Sequence, residues 1–219
     1  MRIGILGAGR MTEALAPQWI RAGHEVLIGG RTPGKAKELA ERIGARVGTL
    51  REAAEFGEVV LLAVLHEGLE PTLAEAGAAE GTLAGKTVID CGNAVLLDGY
   101  TQVTWDGRSM AEELARLAPG SRVVKAFNLS HADVWALTPP AFDGRPLTVP
   151  FAGAEEGKAD ARRLIADLGA EPLDVGDLSQ TRHLEAMAII VIRLLFAGAH
   201  PHSVFTYLSP DRGDAPAPA

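Results

Sequence analysis

A short glycine-rich segment near the N-terminus has the residue types and spacing to hold a phosphate. It reads Gly7-Ala8-Gly9-Arg10-Met11-Thr12 and directly follows the apolar run Ile3 to Leu6. Backbone N–H groups at a strand-to-helix turn, together with the positive end of the helix, bind pyrophosphate. Gly7 permits the tight turn and Gly9 the approach of the phosphates, whereas Thr12 occupies a position that is normally Gly or Ala. We predict a dinucleotide site on residues 7–11; an ordinary strand-to-helix connection is the alternative.

The end of the second predicted strand favours one dinucleotide over another. It reads Gly29-Gly30-Arg31-Thr32, followed by Lys35. NAD enzymes usually place a carboxylate here, which bonds the ribose 2′-hydroxyl. Arg31 can instead meet a 2′-phosphate with a planar fork of donors, and Thr32 can donate a hydroxyl. We therefore predict NADP (NADPH) as the cofactor; the alternative is that Arg31 and Lys35 are solvated charges at a helix start.

Two later loops could face the nicotinamide half of such a cofactor. They are Ala63-Val64-Leu65-His66 and Asn128-Leu129-Ser130-His131, each following an apolar strand. Direct hydride transfer needs alignment of two rings more than acid–base groups, so no catalytic residue is assigned. We predict that Ala63, Val64 and Leu65 contact the cofactor and that His66, Asn128, Ser130 and His131 contact the substrate. The loop histidines could donate a hydrogen bond or a proton, or could simply be solvated.

Other polar residues allow weaker interpretations. Asn93 could fix the cofactor or form a turn. Arg182 and Arg193 could meet an anionic acceptor tail, with a helix salt bridge as the alternative. Cys91 is expected to be a buried, inert thiol. The segment His200 to His202 offers no third ligand, so no metal is predicted.

These residues need a scaffold of alternating strands and helices. The predicted strands are Arg2–Leu6, Glu25–Ile28, Val59–Val64, Thr87–Asp90, Arg122–Ala126, Leu147–Phe151 and Pro172–Val175. The predicted helices are Thr12–Ala22, Lys35–Ile43, Met110–Leu117, Glu156–Leu168 and Leu178–Phe196. Strands that alternate with helices indicate a doubly wound, mainly parallel α/β sheet of Rossmann type with a C-terminal helical extension.

Composition limits the class of protein. The chain has 219 residues, a formal net charge of -7 and 22% charged residues. It has no overall basic excess for a nucleic-acid partner, and its single cysteine excludes an intramolecular disulfide framework. It contains no apolar run long enough for a transmembrane helix and no secretory signal pattern. We expect a cytoplasmic protein whose partner is a small-molecule hydride acceptor, not nucleic acid or a membrane.

The domain organisation follows from the same patterns. We expect a dinucleotide-binding domain over residues 1–176, a helical extension over 177–208 and a flexible tail over 209–219. The stretch Ala186 to Ile192 is apolar all round, so its helix is expected to be buried. We predict a homodimer with this helix at the interface; burial beneath the chain's own sheet is the alternative.

Several motifs together resemble a known family, the NADPH-dependent coenzyme F420 reductases, whose domain also occurs in membrane ferric reductases. The matching segments are Ile5–Gly9, Gly23–Val26, Gly30–Arg31, Gly85–Asp90 with Asn93, Val123–Asn128 and Asp174–Glu185. The chain departs from the family pattern at Gly30, often Ser, at Leu65, usually Pro, and at Asn128, which is His in archaeal members. The resemblance implies hydride transfer between NADPH and coenzyme F420. Alternatives are another acceptor (a flavin, an imine or a carbonyl compound) and a dinucleotide-binding accessory protein without turnover.

Overall fold

The computed structural model describes residues 1–142 and 144–198. The strands of its main sheet are β1 (Arg2–Leu6), β2 (Glu25–Gly29), β3 (Arg46–Gly48), β4 (Val59–Leu62), β5 (Thr87–Asp90), β8 (Arg122–Lys125), β11 (Thr148–Gly153) and β12 (Glu171–Asp174). Short strands β6 (Val95–Leu96) and β7 (Thr101–Gln102) form one hairpin, and β9 (Ala141–Phe142) pairs with β10 (Arg145–Pro146). The main sheet has the order β12-β11-β8-β5-β4-β1-β2-β3. All neighbours run parallel except β11 against β8, which confirms the predicted mainly parallel sheet.

Helices cover both faces of this sheet. They are α1 (Arg10–Arg21), α2 (Pro33–Ile43), α3 (Leu50–Phe56), α4 (Leu69–Ala76), α5 (Met110–Leu117), α6 (Ala132–Trp135), α7 (Lys158–Ala166) and α8 (Thr181–Phe196). Successive strand residues point to opposite faces, so Ile5 packs in the layer of α1 while Leu6 packs in the layer of α4. This double covering explains why the central strands are nearly continuous apolar runs.

Short elements escaped prediction from the sequence. Strand β3 and helices α3, α4 and α6 were not expected. Each spans too few residues to show a clear hydrophobic period. Helix α3 nevertheless carries a local signal, because Thr49 accepts from the N–H of Glu52 while the Glu52 carboxylate accepts from the N–H of Thr49. Strand β4 ends at Leu62, two residues earlier than predicted, which releases Val64 into a loop.

The expectation that α8 is buried was wrong for its second half. Thr181, Leu184, Glu185 and Ala188 are buried, whereas Ile190 and Phe196 are 54% and 64% exposed. The first turns of α8 pack against the sheet edge and α5, and the helix then continues past them. The boundary between residues 176 and 177 stays a prediction. The tail over 209–219 and the pair His200 and His202 lie outside the described residues.

Candidate functional site

The glycine turn joins β1 to α1 at the carboxyl edge of the sheet. Gly7 has a φ of 124°, and a Cβ on it would collide with the carbonyl group of Ala63. Gly9 occupies the N-cap position of α1, so no side chain there bonds the first N–H groups of the helix. A Cβ on Gly9 would meet no atom within 4 Å. Gly7 is therefore required by the fold, whereas Gly9 leaves open space in front of unbonded N–H groups of the helix.

The structure explains the departure at Thr12. The side chain is fully buried, and its hydroxyl donates to the carbonyl oxygen of Gly7 at 2.7 Å. A glycine or alanine at this position would pack closely but could not make this bond. Thr12 thus ties the first turn of α1 to the glycine turn and is compatible with a dinucleotide site.

An electropositive pocket opens where β2 meets α2. Thr32 is the N-cap of α2 but its side chain makes no cap hydrogen bond, and the first turn of α2 holds no acidic residue. Among the described residues, no carboxylate lies within ion-pair distance of Arg31 or Lys35, although Lys37 on the same helix pairs with Glu41. Two cations, a free hydroxyl and a helix N-terminus therefore converge without an anion.

A cavity of about 170 Å³ connects this pocket with the glycine turn. Its lining residues are Gly7, Ala8, Gly30, Arg31, Thr32, Lys35, Leu50, Ala63, Val64, Leu65 and Thr72. Eight of the twelve residues predicted to bind the cofactor are thus brought together. Gly9, Arg10, Met11 and Asn93 do not line it; the first three lie beyond the turn at the start of α1.

No pattern in the sequence indicated the wall that α4 contributes to this cavity. The guanidinium of Arg31 lies against Gly68, where a Cβ would be 3.1 Å from Arg31 Nη2 and 3.4 Å from Val64 Cβ. Helix α4 begins directly after Gly68, and one turn later Thr72 lines the same cavity. Finding this wall requires knowing that the start of α4 lies beside Arg31.

His66 lies apart from the residues that precede it. It begins a short 3-10 turn and lines a second cavity with Glu67, Glu70, Pro71, Val103 and Trp105. Its Nδ1 lies 3.4 Å from a carboxylate oxygen of Glu67. The loop that we predicted as one contact surface therefore presents Leu65 to one cavity and His66 to another.

Asn93 and Asn128 form an interlocked pair at the ends of neighbouring strands. Asn93 Nδ2 donates to the backbone oxygen of Asn128 at 2.8 Å. Asn128 Nδ2 donates to Asn93 Oδ1 at 3.0 Å and to the carbonyl oxygen of Leu184 at 3.1 Å. Asn128 Oδ1 is buried and has no partner within the described part of the chain. The amide donors of the pair are thus used within the fold, whereas Asn128 Oδ1 is a buried acceptor without a partner among the described residues.

A left-handed residue sets the direction of Asn128. Phe127 has a φ of 67°, which is costly for a bulky residue. Its ring packs edge-on against Trp19 and Trp135, and the Trp135 indole N–H donates to the carbonyl oxygen of Phe127. This packing holds the kink that turns the chain from β8 towards Asn93.

The remaining predicted substrate residues have structural partners. The ring of His131 caps α6, where its Nδ1 accepts from the N–H of Asp133. Arg10 forms an exposed ion pair of 2.8 Å with Asp133, which joins the glycine turn to this loop. Arg182 pairs with Glu112 of α5 at 2.5 Å, as the salt-bridge alternative predicted. Ser130 is half-buried and has no side-chain hydrogen bond among the described residues.

A buried charge cluster lies beneath the site and was missed by sequence reasoning. Lys125 Nζ donates to Asp90 at 2.7 Å and to Glu185 at 2.9 Å, and all three side chains are fully buried. Burial opposes the charge of Lys125, but attraction to both carboxylates prevails and raises its pKa. Burial raises the pKa of Asp90, an effect that Lys125 opposes. The available signal in the sequence was a charged residue at the end of each of two apolar strands, Asp90 in β5 and Lys125 in β8.

The glutamate of this cluster also docks α8. The Glu185 carboxylate accepts the N–H groups of Met110 and Ala111 at the start of α5, at 3.0 and 3.2 Å. Cys91, next to Asp90, is buried as predicted, and burial raises the pKa of its thiol to about 12. In the described ranges, no cluster of ligating side chains could hold a metal ion, and no helix has the length and apolar character to cross a membrane.

Comparison with known proteins agrees with this geometry. Residues 2–94 match the family model described as NADP oxidoreductase coenzyme F420-dependent. The chain is 32% identical to the F420-dependent NADP reductase of Methanothermobacter marburgensis over 218 residues, covering 89% of this chain and 92% of the relative. It is also 32% identical to rat metalloreductase STEAP3 over 194 residues, 89% of this chain but 37% of the relative. The chain thus spans little more than a third of that metalloreductase.

Solved structures show the same fold. A protein from Arthrobacter sp. FB24, described provisionally as an F420-dependent NADP reductase, superposes with a TM-score of 0.77 at 26% identity and covers 90% of this chain and 95% of that one. A reductive aminase from Aspergillus terreus, in complex with NADPH and ethyl levulinate, has a TM-score of 0.67 at 26% identity, covering 90% and 62%. Motif order, cofactor cavity and full-length similarity agree, and the chain belongs to the family of coenzyme F420-dependent NADP oxidoreductases.

Proposed function

We propose that this protein transfers hydride from bound NADPH to a small-molecule acceptor, with coenzyme F420 as the leading candidate. The observation that carries the proposal is the pair of cations, Arg31 and Lys35, which have no carboxylate partner among the described residues and lie beside the N-terminus of α2, where Thr32 makes no side-chain cap. A 2′-phosphate neutralises such a site, whereas the 2′-hydroxyl of NADH does not. The F420 part of the proposal is supported by the relative from Methanothermobacter marburgensis.

We assign each part of a dinucleotide to residues near the carboxyl edge of the sheet. Gly9 leaves room for a pyrophosphate in front of α1, and Arg31, Thr32 and Lys35 hold the 2′-phosphate. Bound NADPH supplies the hydride. Ala63, Val64 and Leu65 exclude water from one side of the cofactor, while Asn128 offers its unpartnered Oδ1 near the ends of β5 and β8. These contacts act by alignment, which requires no acid–base residue.

A second acceptor class, an imine or a carbonyl compound, is favoured by the ion pairing of a cation that was predicted to meet an anionic acceptor. Arg182 and Arg193 are the cations that we predicted to meet an anionic acceptor tail, and Arg182 is engaged by the carboxylate of Glu112. The solved reductive aminase complex contains NADPH and a keto ester. An uncharged acceptor would not need these cations.

Steady-state oxidation of NADPH tests the proposal. Reactions would contain coenzyme F420, a flavin, a cyclic imine or no acceptor, each with NADPH and with NADH. We expect NADPH-specific turnover with F420. Turnover with the imine alone selects the second class, and NADPH binding without turnover on any acceptor favours an accessory protein.

We also propose a homodimer in the cytoplasm. In the described part of α8, Met187, Ile190, Leu195 and Phe196 expose apolar surface, and the Phe196 ring lies 6.2 Å from that of Tyr100 in the β6–β7 hairpin. Burying such a surface against a second copy removes it from water. Light scattering should give twice the chain mass of 23.0 kDa. Ile190→Glu should reduce it to one chain mass, whereas Lys37→Glu, on the distant α2, should not.

A further inference from the structure

The side of the nucleotide cavity formed by α4 contains a buried hydroxyl group that makes no hydrogen bond within the described residues. Thr72 is fully buried, and across residues 1–142 and 144–198 its Oγ1 has no hydrogen bond. A helical threonine ordinarily bonds the carbonyl oxygen four residues earlier, which here belongs to Gly68. That bond is not made. A buried polar group without a partner is destabilising, so this hydroxyl calls for a ligand that completes it.

The position of Thr72 in the cavity indicates which part of the ligand it meets. The Arg31 guanidinium lies against Gly68 at the start of α4, and Leu50, Val64 and Leu65 add apolar surface to the same cavity. A flat, largely apolar base fits between such surfaces, and the polar atoms of a purine lie on its edge. Thr72 is the polar side chain that α4 contributes to this cavity.

We propose that Thr72 Oγ1 forms a hydrogen bond with the edge of the adenine ring of NADP(H). This inference rests on the proposed function. A threonine hydroxyl can donate to a ring nitrogen or accept from the exocyclic amine, so either contact satisfies it. Gly68 and Thr72 then act together, since the first gives space to the Arg31 guanidinium and the second binds the base one helical turn later.

The test compares Thr72→Val, which keeps the shape but removes the hydroxyl, with Thr72→Ser, which keeps the hydroxyl. Isothermal titration would use NADPH and adenosine 2′,5′-bisphosphate, which lacks the nicotinamide half. We expect Thr72→Val to weaken binding of both by the same factor, about 3- to 12-fold, because one hydrogen bond is lost. Thr72→Ser should stay close to wild type. The ligand-free Tm of Thr72→Val should equal or exceed that of wild type, because an unsatisfied polar group is removed.

A matched control is Thr82→Val. Thr82 is partly buried, and its hydroxyl donates to the carbonyl oxygen of Ala76 at 2.8 Å, at the far end of α4. This variant should lose stability and keep wild-type affinity for both ligands.

Two results overturn the inference. One is unchanged affinity of Thr72→Val for adenosine 2′,5′-bisphosphate; the other is weaker binding together with a lower ligand-free Tm, which would mean lost packing. If wild type binds NADPH normally in these experiments, the proposed function survives either result. If wild type binds neither ligand, both proposals fail.

Discussion

The guanidinium of Arg31 rests against the backbone of Gly68, where a Cβ would be 3.1 Å from Nη2. Arg31 follows β2 and Gly68 precedes α4, so this contact joins two distant parts of the chain at the cavity where we propose that the 2′-phosphate binds. The glycine has an ordinary helical conformation with a φ of -88°. Its role is therefore to leave space, not to adopt a special backbone conformation.

Replacing the arginine should change cofactor preference. Arg31→Ala should weaken NADPH binding by about 10- to 150-fold, because a hydrogen bond to a charged group is lost, and should leave NADH nearly unchanged. Fluorescence titration with both cofactors measures this. Lys37→Ala is the control, since Lys37 lies on the same helix but pairs with Glu41. Equal losses for both cofactors in Arg31→Ala would contradict the assignment.

Gly68→Ala tests whether the contact between Gly68 and the Arg31 guanidinium positions Arg31 for NADPH. The added methyl group should displace the guanidinium and weaken NADPH binding by about 3- to 10-fold, a partial loss of the charged hydrogen bond. NADH binding and Tm should stay near wild type, because alanine suits a helical conformation better than glycine. Gly34→Ala, where a Cβ meets no atom within 4 Å, is the control. An unaffected NADPH affinity in Gly68→Ala would show that Arg31 binds from another position.

The two glycines of the phosphate turn should respond differently. Gly9→Val should abolish binding of both cofactors while the Tm stays near wild type, because its side chain enters open space where the pyrophosphate would lie. Gly7→Ala should instead impair folding, since its Cβ collides with the Ala63 carbonyl group at a φ of 124°. Thermal unfolding and cofactor titration of both variants separate the effects. Normal NADPH binding by Gly9→Val would make the turn a structural connection only.

Asn128 should matter for turnover more than for cofactor affinity. Asn128→Ala removes the free Oδ1 and leaves the Leu184 carbonyl oxygen without its donor, so we expect turnover to fall by about 10- to 100-fold through misalignment. NADPH affinity should stay within a few-fold. Thr82→Val is the control, since Thr82 bonds the carbonyl oxygen of Ala76 at the far end of α4. Turnover kinetics and NADPH titration of the same variant measure the two effects. Wild-type turnover of Asn128→Ala would mean that the acceptor binds elsewhere.

The buried cluster should control stability with a defined pH dependence. Lys125→Met leaves Asp90 and Glu185 buried without a counter-charge and should cost about 3–5 kcal/mol of unfolding free energy. Burial raises the pKa of Asp90, and this rise is larger without Lys125. The folded variant then binds protons more tightly than the unfolded chain, so its stability should increase as pH falls.

Urea unfolding at about pH 7 and about pH 5 measures this difference. The loss of unfolding free energy in Lys125→Met relative to wild type should be smaller at the lower pH. Adding Asp90→Asn should recover part of this lost free energy. A deficit that is the same at both pH values would mean that lost packing, not unpaired charge, destabilises the variant.

The sequence by itself determined the parts that depend on local spacing. The glycine turn after β1, the basic end of β2 and the alternation of strands and helices predicted the parallel sheet, the family and most of the residues that line the first cavity. These features are local because backbone geometry and the phosphate contacts are set by consecutive residues. The departure at Thr12 was visible in the sequence, but its hydrogen bond to Gly7 was not.

Only the tertiary structure decided which distant residues meet. It placed Gly68 and Thr72 beside Arg31, separated His66 from Leu65, and joined Lys125 to Asp90 and Glu185. It also showed that α8, which contains the apolar stretch Ala186 to Ile192, buries its first turns and exposes Ile190 and Phe196. Hydrophobic periodicity indicates that an apolar face of a helix must be covered. Which part of that face is covered, and by which element, depends on the elements that the chain crossovers bring next to the helix.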